Sequence, residues 1–263
     1  MTAKENLCDT LQERLKMLRL PSFQQGFEGV ARAAHRDGWS YGQFLLGLVD
    51  LELDDRRNRR VSRLLQDSAL PMDKQLSAFD QTRLPLKLKR QLSALCQGEF
   101  LDHHENILVF GLPGTGKTHY LCAIGHELVQ RGHSILFTSG FALVERLLKA
   151  KQNLTLEKHL RMLDRYEGAI IDDIGYIQHS REEVEVLFTF LAERYERRSV
   201  MISSNLVFSQ WEQIFKNPTT AVAAIDRPVH HATILELLGP SYREDQAKKR
   251  NQTGDKSGAE MQG

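Results

Sequence analysis

Through the first hundred residues the apolar positions fall three and four apart; beyond them they cluster in short continuous runs. Leu7, Leu11, Leu15 and Leu18 trace one stripe, which predicts a helix that Pro21 stops. "SFQQGFEGVARAAHRDG" carries a second helical pattern ending at Gly38. Ser40 can cap a long third helix, "YGQFLLGLVDLELDDRRNRRVSRLLQ", and "LPLKLKRQLSAL" predicts a short basic helix leading to Gly98. From Asn106 the texture changes. "NILVF", "SILFTS", "GAIID", "SVMISS" and "TILEL" read as five short apolar strands, the first of them buried, alternating with amphipathic helices. Strand and helix alternating at that rhythm predict an α/β fold with a parallel sheet covered by helices, behind an all-helical N-terminal domain. We expect a helical domain over 1–70, a linker with a basic helix over 71–100, the α/β domain over 101–243 and a disordered tail over 244–263.

Composition narrows the function more than the fold. A hydrophobic share of 41% is enough for a core, and no segment has the apolar length of a membrane span. The N-terminus lacks an apolar signal core, and Cys8, Cys96 and Cys122 are odd in number with no CxxC spacing, which predicts a reducing cytoplasm. A net charge of +1 means that any polyanion must be held by local patches.

Directly after "NILVF" stands "GLPGTGKT", Gly111 to Thr118, which fits the phosphate-binding spacing GxxxxGK[ST] between a strand and a helix. Glycines at 111, 114 and 116 let the backbone amides turn inward onto a phosphate chain, and the next helix adds the positive end of its dipole. Lys117 is expected to reach the terminal phosphates and the Thr118 hydroxyl to ligate Mg²⁺, with Pro113, Thr115 and His119 completing the nucleotide contacts. A second acidic element should close such a site, and "AIIDDIG" supplies it. Asp172 is the expected Mg²⁺ holder; Asp173, pointing the other way along the strand, could polarise the attacking water or merely cap the turn. Asn205, at the end of "SVMISSN", could orient water beside the last phosphate or sit in an ordinary turn.

The phosphate loop, "IIDDIG", "ISSN" and "DR", in this order, resemble the AAA+ ATPases, and more narrowly the clade of the transposition helper IstB and the helicase loader DnaC. "RLKMLRLPSF", "LELDDRRNRR", "GLPGTGKTH", "DDIGY", "SSNL" and "SYR" carry the narrower resemblance over most of the chain. It implies an AAA+ domain on a five-stranded parallel sheet with no C-terminal lid domain. It also implies that Arg227, in "AIDRPVHHA", reaches the ATP of an adjacent subunit as a transition-state cation. Arg243 is a second candidate for phosphate contact. Pro228 departs from the leucine usual there and restricts the geometry before it.

Charge offers a further candidate. Arg56, Arg57, Arg60 and Arg63 on the third helix, and Lys87, Lys89 and Arg90 further on, are either DNA-phosphate strips or solvated faces balanced by Asp50, Glu52, Asp54 and Asp55. His103–His104 and His230–His231 are adjacent pairs with no completing ligands, so no metal beyond Mg²⁺ is expected. Cys122, Trp39–Tyr41 and Trp211–Phe215 read as packing. Together with the resemblance, these features predict an ATP-binding, ATP-hydrolysing protein that self-assembles on double-stranded DNA and assists a transposase. A helicase loader is the alternative reading, and a metabolic kinase or a DNA-binding module with an inert ATPase fit less well.

Overall fold

The computed structural model describes residues 3–174, 180–206, 231–239 and 241–242. Arg227, Pro228, His230, Arg243, Trp211, Phe215 and the tail expected over 244–263 lie outside the described residues. The chain divides into two units, Met1–Arg63 and Leu64–Gly263.

In the second unit the apolar runs form one parallel sheet. Its strands are β1 (Asn106–Phe110), β2 (Ile135–Ser139), β3 (Gly168–Asp172), β4 (Ser199–Ser204) and β5 (Ala232–Glu236), in the order β2-β3-β4-β1-β5. Every residue of β1 and β4 is buried, as expected of parallel strands covered on both faces. Alternate residues serve the two faces. Leu108, Phe110, Ala169, Ile171, Val200 and Ile202 join one core with α7 (Gly140–Gln152), α8 (Leu156–Leu163) and α9 (Arg181–Arg194). Ile107, Ile135, Ile170 and Met201, fully buried, take the other face, where α6 (Lys117–Gln130) lies over the sheet. Close approach of α6 needs a small residue: a side chain at Gly125 would meet Ile170 and Leu70 at 2.8 and 3.0 Å. A Ser180–Glu183 capping box starts α9, and buried Arg194 at its other end donates to the carbonyls of Leu163, Tyr166 and Ser199, binding the strand starts together.

The segment expected as a linker packs on this unit. Two 3-10 turns (Leu76–Ala78 and Gln81–Arg83) precede α4 (Leu86–Leu95), whose Leu88, Leu92 and Leu95 are buried at helical spacing. His119 and His126 of α6 hold the carbonyls of Gln75 and Pro71 at 3.1 and 2.9 Å. A one-turn helix, α5 (Glu99–Asp102), leads into β1.

The first unit holds α1 (Ala3–Met17), α2 (Pro21–Arg36) and most of α3 (Tyr41–Ser68). Pro21 opens α2 at its first turn, where a missing N–H costs nothing. Ser40 caps α3 as expected, exchanging bonds with Gln43. Glu52, 4% exposed, accepts from the Ser22 amide at 2.9 Å and from Arg56 at 2.7 Å. Burial raises its pKa, but Arg56 and Ser22 outweigh that and hold it below the ordinary value. The aromatic pair Trp39–Tyr41 corrects its expected place in the core: Tyr41 is 95% exposed and Trp39 39%. Both stand where α3 begins, beyond the face that Phe44 presents to Phe27, 5.9 Å away.

Candidate nucleotide site

Strand order decides what meets at the carboxyl edge of the sheet. β1 lies beside β4 and β4 beside β3, so the loop after β1 faces the last residues of both neighbours. The loop turns at Gly114 and Gly116, whose φ angles of +83° and +95° are left-handed, a region costly for residues with a Cβ. A side chain at Gly114 would also collide with Ser241.

Lys117, the first residue of α6, is 6% exposed and curls back over the loop. Its Nζ donates to the carbonyls of Gly111 and Leu112 at 2.8 and 2.9 Å and to Oδ1 of Asn205 at 2.5 Å. The Asn205 amide donates to Oδ1 of Asp173 at 3.0 Å. One polar chain therefore runs from the loop lysine through β4's end to the acidic pair. Beside it, the Thr118 hydroxyl donates to Asp172 at 2.8 and 3.0 Å. Hydroxyl and carboxylate are hard oxygen donors, the type that takes Mg²⁺ together with substrate phosphates, so the residues fit that ion.

Asp173 departs from expectation. The strand ends at Asp172 and Asp173 has φ +59°, so the strand's alternation stops and both carboxylates line the same cavity instead of pointing apart. That cavity, about 560 Å³, also takes Pro113, Gly114, Gly116, Lys117, Thr118, His119 and Asn205 into its wall. Thr115 stands outside the lining, its hydroxyl turned to the Leu112 carbonyl at 2.9 Å, and Gly111 contributes its carbonyl to Lys117. Cys122, one turn along α6, is a neutral packing thiol: burial, then the charge of Asp172, pushes it up to about 12.

Several residues here are not singled out by the sequence, although Ser203 stands in "ISSN" and Tyr242 in "SYR". Ser203, 1% exposed, donates to Oδ1 of Asp172 at 2.6 Å and accepts from the Asp173 amide at 2.8 Å. Phe79, Arg83 and Tyr242 also line the wall, beside Asp73, Lys74, Ala78 and Asp80, with Arg83 stacked 4.4 Å over the Tyr242 ring and the Tyr242 amide bonded to the Gly114 carbonyl at 2.9 Å. Aromatic and cationic side chains this close to Gly116 offer a stacking surface that the polar end lacks. For Phe79 and Arg83 the sequence offers only residue type, whereas Tyr242 stands in "SYR".

The basic strips fare unevenly. Arg56 is tied to Glu52 and, at 2.9 Å, to the Arg19 carbonyl, both within its own unit. Arg57, Arg60 and Arg63 are exposed on α3, and Lys87 and Arg90 are exposed on α4 with Lys89 half-buried. Among the described residues no group of three or more His, Cys, Asp or Glu side chains is placed to hold a metal, and no helix is long and apolar enough to cross a membrane.

A lysine and a hydroxyl after the inner strand β1, carboxylates at the end of β3 and an amide from β4 between them define a P-loop nucleotide domain of the AAA+ type. The family model of the IstB-like ATP binding proteins matches residues 13–251, and the chain belongs to that family. It is 39% identical over 245 residues to an insertion-sequence ATP-binding protein of Sinorhizobium fredii, covering 91% of this chain and 82% of the relative. It is 34% identical over 242 residues to the ATP-binding protein of insertion sequence IS21 from Pseudomonas aeruginosa, covering 91% and 90%. Among solved structures, DnaI superposes with a TM-score of 0.53 at 21% identity, over 65% of this chain and 96% of that one, a likeness of fold.

Proposed function

We propose that this protein is an ATP-dependent, DNA-binding AAA+ regulator that assembles on double-stranded DNA in the cytoplasm and assists a transposase, with hydrolysis resetting the assembly. The observation that carries the reading is the chain of bonds Lys117–Asn205–Asp173 beside Thr118–Asp172, which joins the loop lysine, the hydroxyl and both carboxylates at one cavity. Each bond that Lys117 makes to Gly111, Leu112 and Asn205 is one a phosphate oxygen can replace. Thr118 and Asp172 would hold Mg²⁺, which when bound neutralises phosphate charge. Asp173, steadied by Asn205, takes up the proton side of water attack, and Asn205 registers the terminal phosphate as Lys117 turns to it. Phe79 and Tyr242 suit the base. The relatives of insertion sequences, at 34–39% identity over most of their length, support a transposase as the partner in preference to a helicase.

In this reading Arg227 stabilises the transferring phosphate of a neighbouring subunit, and Arg243 adds a second cation. Cations supplied in this way are worth roughly 10³- to 10⁵-fold in phosphoryl transfer. The test mixes a Lys117→Ala copy with an Arg227→Ala copy on DNA and measures ATP turnover. Each copy alone should be inactive and the mixture should regain a fraction of parent turnover. No recovery, with both copies folded, would refute the shared site.

A further inference from the structure

We infer that Ser203 is the positioning residue of the acidic pair: its single hydroxyl orients the Asp172 carboxylate toward the metal side and fixes the backbone turn that swings Asp173 into the cavity. The inference rests on the nucleotide reading above and adds a residue to it.

An amide can only donate. Because the Asp173 N–H gives its hydrogen to the Ser203 Oγ at 2.8 Å, the hydroxyl proton is left to point at Oδ1 of Asp172, 2.6 Å away. Ser203 is 1% exposed and both bonds are part-buried at the cavity wall, so one hydroxyl serves both aspartates from within the sheet. The consequence differs for the two aspartates. On Asp172, Ser203 and Thr118 both donate to Oδ1, at 2.6 and 2.8 Å, whereas among the described residues Oδ2 accepts from Thr118 alone, at 3.0 Å. Oδ2 is thus the less committed oxygen. On Asp173, a non-glycine residue at φ +59° is held by its amide bond to Ser203 and its carboxylate bond to Asn205. Ser203 lies near the end of β4 and Asn205 is the residue after the strand, and both bond to the residues that end β3. The end of β4 therefore reaches across twice, once to set the backbone and once to hold the charge.

The experiment compares the full chain with Ser203→Ala and Ser203→Thr, the latter keeping the hydroxyl. Affinity for a fluorescent ATP analogue is measured in EDTA and in Mg²⁺, with amide exchange at Asp173 followed in nucleotide-free protein. In EDTA, Ser203→Ala should bind like the parent, because the phosphate loop is untouched. In Mg²⁺ its gain in affinity should shrink by about tenfold, the scale of one lost hydrogen bond to a charged group, and the Asp173 amide should lose protection. Ser203→Thr should restore both. A Ser203→Ala protein with the full Mg²⁺ gain and a protected Asp173 amide overturns the inference. So does equal loss of binding in EDTA and Mg²⁺ in both variants, which marks a packing role. If the parent fails to bind the analogue at all, the ATP reading falls, and amide exchange alone still decides for or against Ser203.

Discussion

Lys117 and Arg56 are both cations expected to meet phosphate, and the structure places them in opposite surroundings. Lys117 is buried on a loop of fixed backbone, and its ammonium donates to three neutral oxygens, any of which it can exchange for a phosphate oxygen. Arg56 is half-exposed, yet its partners are a buried carboxylate and a backbone carbonyl that need it where it is. The lysine is held in reserve for a ligand and the arginine is spent on its own unit. Charge and spacing in the sequence do not separate these cases; what decides is whether the cation would leave neutral oxygens or a buried carboxylate behind if it turned to a phosphate.

The comparison predicts the largest effect at Lys117. Lys117→Ala should weaken ATP binding by about a hundredfold or more, as expected for losing several charge-assisted bonds, while thermal unfolding changes little. A titration showing near-parent affinity would break the contrast from its functional side. Next comes Glu52→Gln, which leaves Arg56, Arg59 and the Ser22 amide without their common acceptor charge. With both arginines half in solvent, the cost to denaturant unfolding should be about 1–3 kcal/mol, with ATP affinity unchanged. A smaller effect should separate the arginines of α3. Replacing Arg57, Arg60 and Arg63 together by Ala should lower the salt slope of DNA binding by about 2–3, whereas Arg56→Ala should lower stability and leave that slope nearly intact. Equal slopes for both variants would show that the strip is a solvated face.

The smallest expected effect is in acid. Glu52 is held below its ordinary value of 4.5: burial pushes it up, and Arg56 and Ser22 more than reverse that. Glu167 behaves alike, raised by burial and brought below by His133 and Ser134. A depressed carboxylate stabilises the fold above its unfolded pKa, and that contribution is lost as pH falls through the folded value. Stability should therefore drop below about pH 4.5, and Glu52→Gln should flatten part of that drop in an acid titration followed by circular dichroism.

What was legible in the sequence follows the same division. The phosphate loop could be read because its glycines and Lys117 stand at a spacing that the backbone itself requires. The five strands could be read because a parallel sheet buries both faces and leaves continuous apolar runs. Ser203 could not, since a serine inside a strand is ordinary and its role comes from register against β3. Asp173 was misdirected because strand alternation was carried one residue past the strand's end. In the segment expected over 71–100 as a linker with a basic helix, that helix is α4, while the 3-10 turns before it and the one-turn helix that starts at Glu99 are too short to show a period. Tyr41 was assigned to the core by its type, although its place at the start of α3 leaves it outside.

The left-handed backbone at Asp173 has a consequence for anyone altering this protein. Asparagine tolerates that conformation better than most residues and retains an Oδ1 to accept from Asn205, so Asp173→Asn removes the charge while keeping the local shape. Valine or isoleucine there would distort the chain as well as the chemistry. If Asp173 takes the proton in the hydrolysis proposed above, position 173 is thus the natural place to install a stalled form that holds its nucleotide.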